Sequence, residues 1–223
     1  MTSSSTTTQS GALMRFILWR EKHISERVFV LILAFIVGLA TAVAAFVLKE
    51  LVHTLQHFAT TAAQRNQYLY LVLPPVGIFV TAMIVRYVVR DDISHGVTKI
   101  LIALSQRKSR IKPHNMWSSV LSSAITIGMG GSVGAESPIV LTGAAIGSNL
   151  GRFFKMEQRN LMLLVGCGAA GAIAGIFKAP ITGLVFVIEV LLMDLTLVSI
   201  LPLLTTSVTS ASLAYILTGR QAM

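Results

Sequence analysis

The chain alternates between uncharged apolar runs and short clusters of basic residues. Val28–Leu48 holds 21 residues without a charge, enough for one membrane-spanning helix, which takes about 20. Tyr68–Val85 predicts a second span, with Pro74-Pro75 near its start and Arg86, Arg90, Asp91 and Asp92 marking the return to water. A short helix is expected over Val97–Leu104, and a further span over Met116–Met129, rich in Ser118, Ser119, Ser122 and Ser123. Small side chains of this kind allow close helix contact in lipid. Ile139–Leu150 and Asn160–Phe177 continue the pattern, the latter with glycines at 166, 168, 171 and 175. The helix Ile181–Met193 follows the break at Lys178-Ala179-Pro180, and Leu195–Leu217 is the last span. The expected fold is all-α and integral to a membrane.

The stretch from Gly128 to Arg152 departs from simple spans. It places glycines, one carboxylate and a proline between two apolar segments. Lipid offers no hydrogen bonds to backbone, so broken helix at membrane depth persists only where it is buried or lines a watery cavity. Glu136 is the only acid between Asp92 and Glu157, and an ionisable residue at that depth is a functional candidate. Ser137-Pro138 opens a helix, since proline fits the first helical turn. The amides around Glu136 then face the break with a positive helix end behind them, an arrangement suited to an anion.

Composition supports the membrane reading. The chain of 223 residues is 54% hydrophobic and 12% charged, against roughly 25% charged in soluble domains. A net charge of +9 would suggest nucleic acid in a soluble protein. Here the basic residues sit in loops, including 86–112 and 152–159, where cytoplasmic-side anchoring explains them and no nucleic-acid partner is expected. The single cysteine, Cys167, excludes an internal disulfide, and zinc-type spacing is absent. His53 and His57 share a helix face, but with no third ligand nearby the solvated end of a helix is the reading preferred over a metal site. Residues 1–27 divide into a Ser/Thr-rich disordered tail and an amphipathic helix from Leu13, lying on the inner membrane face or against a partner. Residues 28–223 form the transmembrane domain. With the N-terminus cytoplasmic, the positive-inside rule puts the C-terminus outside, and a plasma or inner membrane is the expected location.

Two motifs in the right order resemble the chloride channel and proton–chloride exchanger (CLC) family. The first is Gly134-Ala135-Glu136-Ser137-Pro138, where that family most often has G-[K/R]-E-G-P, with Ile139-Val140, Gly143, Ile146 and Gly147 following. The second runs from Gly168-Ala169-Ala170-Gly171 through Phe177-Lys178-Ala179-Pro180 to Gly183-Leu184-Val185-Phe186-Val187-Ile188-Glu189. The resemblance implies a bundle of tilted and broken helices, one inverted-topology repeat of a voltage-gated chloride channel or antiporter, at about half the family's typical length. It implies anion transport with chloride as the permeant ion, protons possible, and no cofactor. It also implies a homodimer, or pairing with a second half that supplies further amides and a tyrosine hydroxyl. Membrane lipid is the other partner.

Site residues follow from the same resemblance. Glu136 takes the place of the gating glutamate: ionised, it mimics an anion and occupies the anion's site; protonated, it swings aside. Ala135, Glu136 and Ser137 would coordinate through backbone amides. Ile93-Ser94-His95-Gly96-Val97 stands where the family has G-S-G-I-P, so Gly96 joins the anion-binding set and His95 replaces the serine whose hydroxyl faces the ion. A helix-capping histidine is the other reading of His95, and a carboxylate merely paired with a lysine the other reading of Glu136. Glu189 and Val190 fall on a proton pathway, with Val190 at the position of the internal proton acceptor. Valine there, as in passive channels of the family, points to a channel or an unconventional exchanger. Glu189 serves a proton route or a salt bridge, and Lys178 faces the anion pathway or pairs with a carbonyl or an acid. The alternative function is a truncated, non-conducting fragment or an assembly subunit. An enzyme is not expected: Gly130-Gly131-Ser132-Val133-Gly134 matches G-x-S-x-G formally, but that motif belongs on a strand–turn–helix, and nothing orients His95 toward Ser132.

Overall fold

The computed structural model describes residues 25–65, 68–89, 96–105, 109–192 and 196–219, and these contain helices and no strand. The helices are α1 (Glu26–Arg65), α2 (Leu69–Ile84), α3 (Gly96–Ser105), α4 (Ser118–Gly128), α5 (Glu136–Phe153), α6 (Gln158–Phe177), α7 (Pro180–Val190) and α8 (Leu197–Thr218). A π-helical turn, Val85–Val89, extends α2, and a 3₁₀ turn, Pro113–Met116, precedes α4. Segments 26–62, 69–87, 158–177 and 198–218 are long and apolar enough to cross a membrane. Residues 1–24, on which the expected tail and most of the amphipathic helix fall, lie outside the described residues, while Glu26 and Arg27 belong to α1.

One expected element is borne out and another is revised. The polar stretch after Leu48 is the solvated end of the first helix, as expected. It continues α1 to 40 residues, about 60 Å at 1.5 Å per residue, so the exposed His53 and His57 ride on its far half. The expected span at Met116–Met129 is an 11-residue helix, about 16 Å long and short of the ~30 Å hydrocarbon core. Met116 closes the preceding 3₁₀ turn, Trp117 caps the start of the helix and Met129 caps its end, so all three fall outside it.

Helices α1, α6 and α8 run parallel and in contact. At one end the Asn160 amide donates to the Glu26 carboxylate. Midway, Thr41 Oγ1 donates to Ser210 Oγ (3.3 Å) and Ser210 Oγ to the Gly171 carbonyl (2.6 Å), while Thr206 Oγ1 donates to the Ala34 carbonyl (2.9 Å). At the other end Lys178 Nζ donates to the Gly219 carbonyl (3.1 Å) and lies over the Tyr215 ring. Of the readings open for Lys178, the backbone pairing is the one observed. It bridges the ends of α6 and α8, with Lys178 itself in the left-handed region (φ 54°) where α6 stops.

Helix α5 packs antiparallel to α6, with Gly143 against the Gly168 backbone and Ala172, and Gly147 against the Leu164 carbonyl. Lipid provides no hydrophobic drive between helices, so the gain comes from backbones approaching closely. A side chain at Gly143 would overlap the Gly168 carbonyl oxygen and the Ala172 methyl at once. Backbone cannot yield as a flexible side chain does. Gly143→Val is therefore expected to cost about 1–3 kcal/mol or more, read as a lowered Tm of the detergent-purified protein.

Candidate functional site

The break ahead of α5 is built by local backbone bonds. Helix α4 ends at Gly128; the Gly130 amide donates to the Ile127 carbonyl with Gly130 at φ +93°, a conformation favouring glycine. The Gly131 amide turns back to the Thr126 carbonyl (2.8 Å), and the Val133 amide to the Gly131 carbonyl (3.0 Å). The chain is then free of regular structure until Glu136, the first residue of α5. Pro138 is the third residue of the helix rather than the first, still within the turn where a missing N–H costs nothing. The first intrahelical bond is from the Ile139 amide to the Ala135 carbonyl (3.3 Å). The amides of Ala135, Glu136 and Ser137 precede it and belong to the unspent donors of a helix start.

A second helix begins at the same point. The Gly96 amide, at the head of α3, donates to Ser137 Oγ (3.0 Å). Farther along, Ser148 Oγ on α5 donates to the Ser109 carbonyl (2.7 Å) and accepts from the Ile111 amide (3.0 Å), in the loop leaving α3. These two ties hold α3 and α5 side by side with their N-termini together. Each end carries roughly half a positive charge. Like ends so placed repel each other and attract an anion. The close approach depends on Gly96, where a Cβ would overlap the Ser137 carbonyl oxygen and hydroxyl.

Glu136 is exposed on the described surface, and its carboxylate folds back over Gly134, at which any Cβ would overlap Glu136 Oε2. Ala135 and Ser137 are half-buried beside it. The Gly96 amide is engaged by the Ser137 hydroxyl, so Gly96 reaches the site through that hydroxyl. His95 lies outside the described residues. Glu189 and Val190 are exposed near the end of α7, which packs on α6 and α8 rather than on α5. The two carboxylates are thus carried by separate parts of the bundle, and no ion pair of Glu189 is formed among the described residues. Ser132 lies exposed on the irregular stretch before α5, with no strand leading into it. Among the described residues no three His, Cys, Asp or Glu side chains are grouped for a metal.

The residue role missed by reading the sequence is the Ser137 hydroxyl. The signal was present, a serine where the resembled motif has glycine, but only its backbone was considered. Ser148 was equally invisible, because its partners are carbonyl and amide groups of a distant loop.

Residues 76–223 match the family model described as "Voltage gated chloride channel". A curated relative, the "Putative chloride channel protein ClcB-like" of Ralstonia nicotianae, is 28% identical over 192 residues, covering 81% of this chain and 45% of the relative. Two solved structures share the fold. The slow cyanobacterial Cl−/H+ antiporter superimposes with TM-score 0.76 at 21% identity, over 89% of this chain and 48% of that one. The CLC-type fluoride/proton antiporter gives 0.73 at 24% identity, over 87% and 48%. The chain spans about half the length of the curated relatives and structures it matches.

Proposed function

Since this chain belongs to the voltage-gated chloride channel (CLC) family of integral membrane proteins, we propose that it forms half of a chloride pathway gated by Glu136. The observation that carries the proposal is the junction of two helix N-termini, α3 and α5, tied through Gly96 and Ser137 with Glu136 at its head. A chloride ion that sheds water there meets the amides of Ala135, Glu136 and Ser137, together with the Ser137 hydroxyl. That hydroxyl accepts from Gly96, which leaves its own proton to donate. His95, next to Gly96 in sequence, adds an imidazole donor. The Glu136 carboxylate is the anion's competitor: ionised, it takes the same donors; protonated, it leaves them. Gly134 gives it room to fold back over the chain.

Proton coupling is weak in this reading and conduction is channel-like, because Val190 cannot carry a proton and Glu189 stands on α7, away from α5. A second chain or segment covers the Glu136 face. An ionised side chain facing hydrocarbon costs about 2.5–3.5 kcal/mol even on the most lenient scale, and Glu136 is exposed in this chain alone. That exposure also favours the second reading, a subunit that conducts only in assembly with a partner.

The test is chloride efflux from liposomes with simultaneous pH recording, on protein purified mildly enough to keep associated chains. Chloride efflux without stoichiometric proton movement is expected. Vesicles that are silent with this chain alone, and conduct only when a co-purifying larger channel protein is retained, would point to the assembly role instead.

A further inference from the structure

A cavity of about 550 Å³ opens where α1, α6 and α8 begin, within the 300–1,000 Å³ range of small-ligand sites. Its rim carries two charges of each sign: Glu26 and Arg27 from the first turn of α1, and Glu157 and Arg159 at the head of α6. Among the described residues these four form no ion pair with one another. Glu26 is instead held by the Asn160 amide, which straps α1 to α6. Below the rim the cavity turns apolar, floored by the buried Val30, Leu163 and Pro202. One flank is open: Val198 and Leu201 of α8 are 48% and 58% exposed.

Opposite charges that line one small space without neutralising each other are suited to a ligand that carries both signs. The cavity lies at the shared end of three helices long and apolar enough to cross the membrane, at the level of lipid headgroups. The heads of α6 and α8 add positive helix ends, which favour a phosphate. We infer that this cavity is a headgroup site for a zwitterionic phospholipid of the phosphatidylethanolamine class. Arg27 and Arg159 hold the phosphate, Glu26 and Glu157 hold the ammonium, and the acyl chains leave along Val198 and Leu201. Charge balance separates it from an anionic-lipid patch, whose rim would be basic alone. The inference rests on membrane residence and is independent of the anion pathway.

Native mass spectrometry of the full chain in detergent, with lipids added one at a time, tests it. Phosphatidylethanolamine is expected to be retained as one molecule per chain, ahead of phosphatidylglycerol, which lacks the ammonium, and of diacylglycerol, which lacks both charges. Combining Arg27→Gln with Arg159→Gln should cut retention roughly tenfold, basic residues near a headgroup each contributing severalfold in affinity. Glu26→Gln with Glu157→Gln should erase the preference for phosphatidylethanolamine over phosphatidylglycerol. Equal retention of diacylglycerol, or a preference for phosphatidylglycerol by the unaltered protein, would overturn the assignment. The headgroup comparison needs no substitution, so it decides the matter even if a variant folds poorly.

Discussion

Glu136→Gln should make anion flux almost independent of pH, at a level matching the unaltered protein's flux in acid. The unaltered protein should conduct more as pH falls. The effect is electrostatic, because chloride and an ionised carboxylate seek the same amides at the head of α5. Two unit charges 4 Å apart repel by about 4 kcal/mol at the effective dielectric of a protein surface, more than enough to change occupancy tenfold. Glutamine keeps the size of the side chain and removes the charge at every pH. Efflux measured across a pH series, in vesicles of fixed composition, checks this. A variant that retains the pH dependence of the parent would remove Glu136 from the gate.

The second large effect is expected at Gly96, which lies far from Glu136 in sequence. Gly96→Val should abolish chloride flux, or lower it by more than tenfold, while the helical content of the protein is kept. The added side chain meets the Ser137 carbonyl, and α3 must move off α5. The Gly96–Ser137 bond is then lost, and with it the alignment of two helix ends. Preorganised donors of this kind typically lose a hundredfold or more in function when one is removed. Circular dichroism beside the efflux assay separates this outcome from unfolding. Ser137→Ala gives the finer comparison, since it removes the hydroxyl without pushing the helices apart.

Much of this architecture was legible because lipid allows so few solutions. Val28–Leu48, Asn160–Phe177 and Leu195–Leu217 announced spans by length and lack of charge, and the structure places helices there. The breaks before Glu136 and at Lys178-Ala179-Pro180 were equally plain, since glycine and proline at depth need a reason. The polar stretch past Leu48 was legible as the solvated end of a helix, since charges mark an exit from lipid without stopping a helix that still bonds internally. Apolar length misled at α4, where local backbone geometry shortened the helix. Of the motif residues, Gly96 and Ser137 do meet, 41 positions apart in sequence. What the sequence could not show is that the meeting uses the Gly96 amide and the serine hydroxyl. Nor could it show that Lys178 faces the Gly219 carbonyl, because both depend on how helices distant in sequence align.

In this mechanism the Glu136 side chain and an anion compete for one set of main-chain donors. Calorimetric titration of chloride into the purified protein, at neutral and at acidic pH, measures this competition most directly when Glu136→Gln is run alongside. Chloride should bind weakly at neutral pH and more tightly in acid, and tightly at both pH values in the variant. Chloride affinity that is the same in both proteins at both pH values would contradict it.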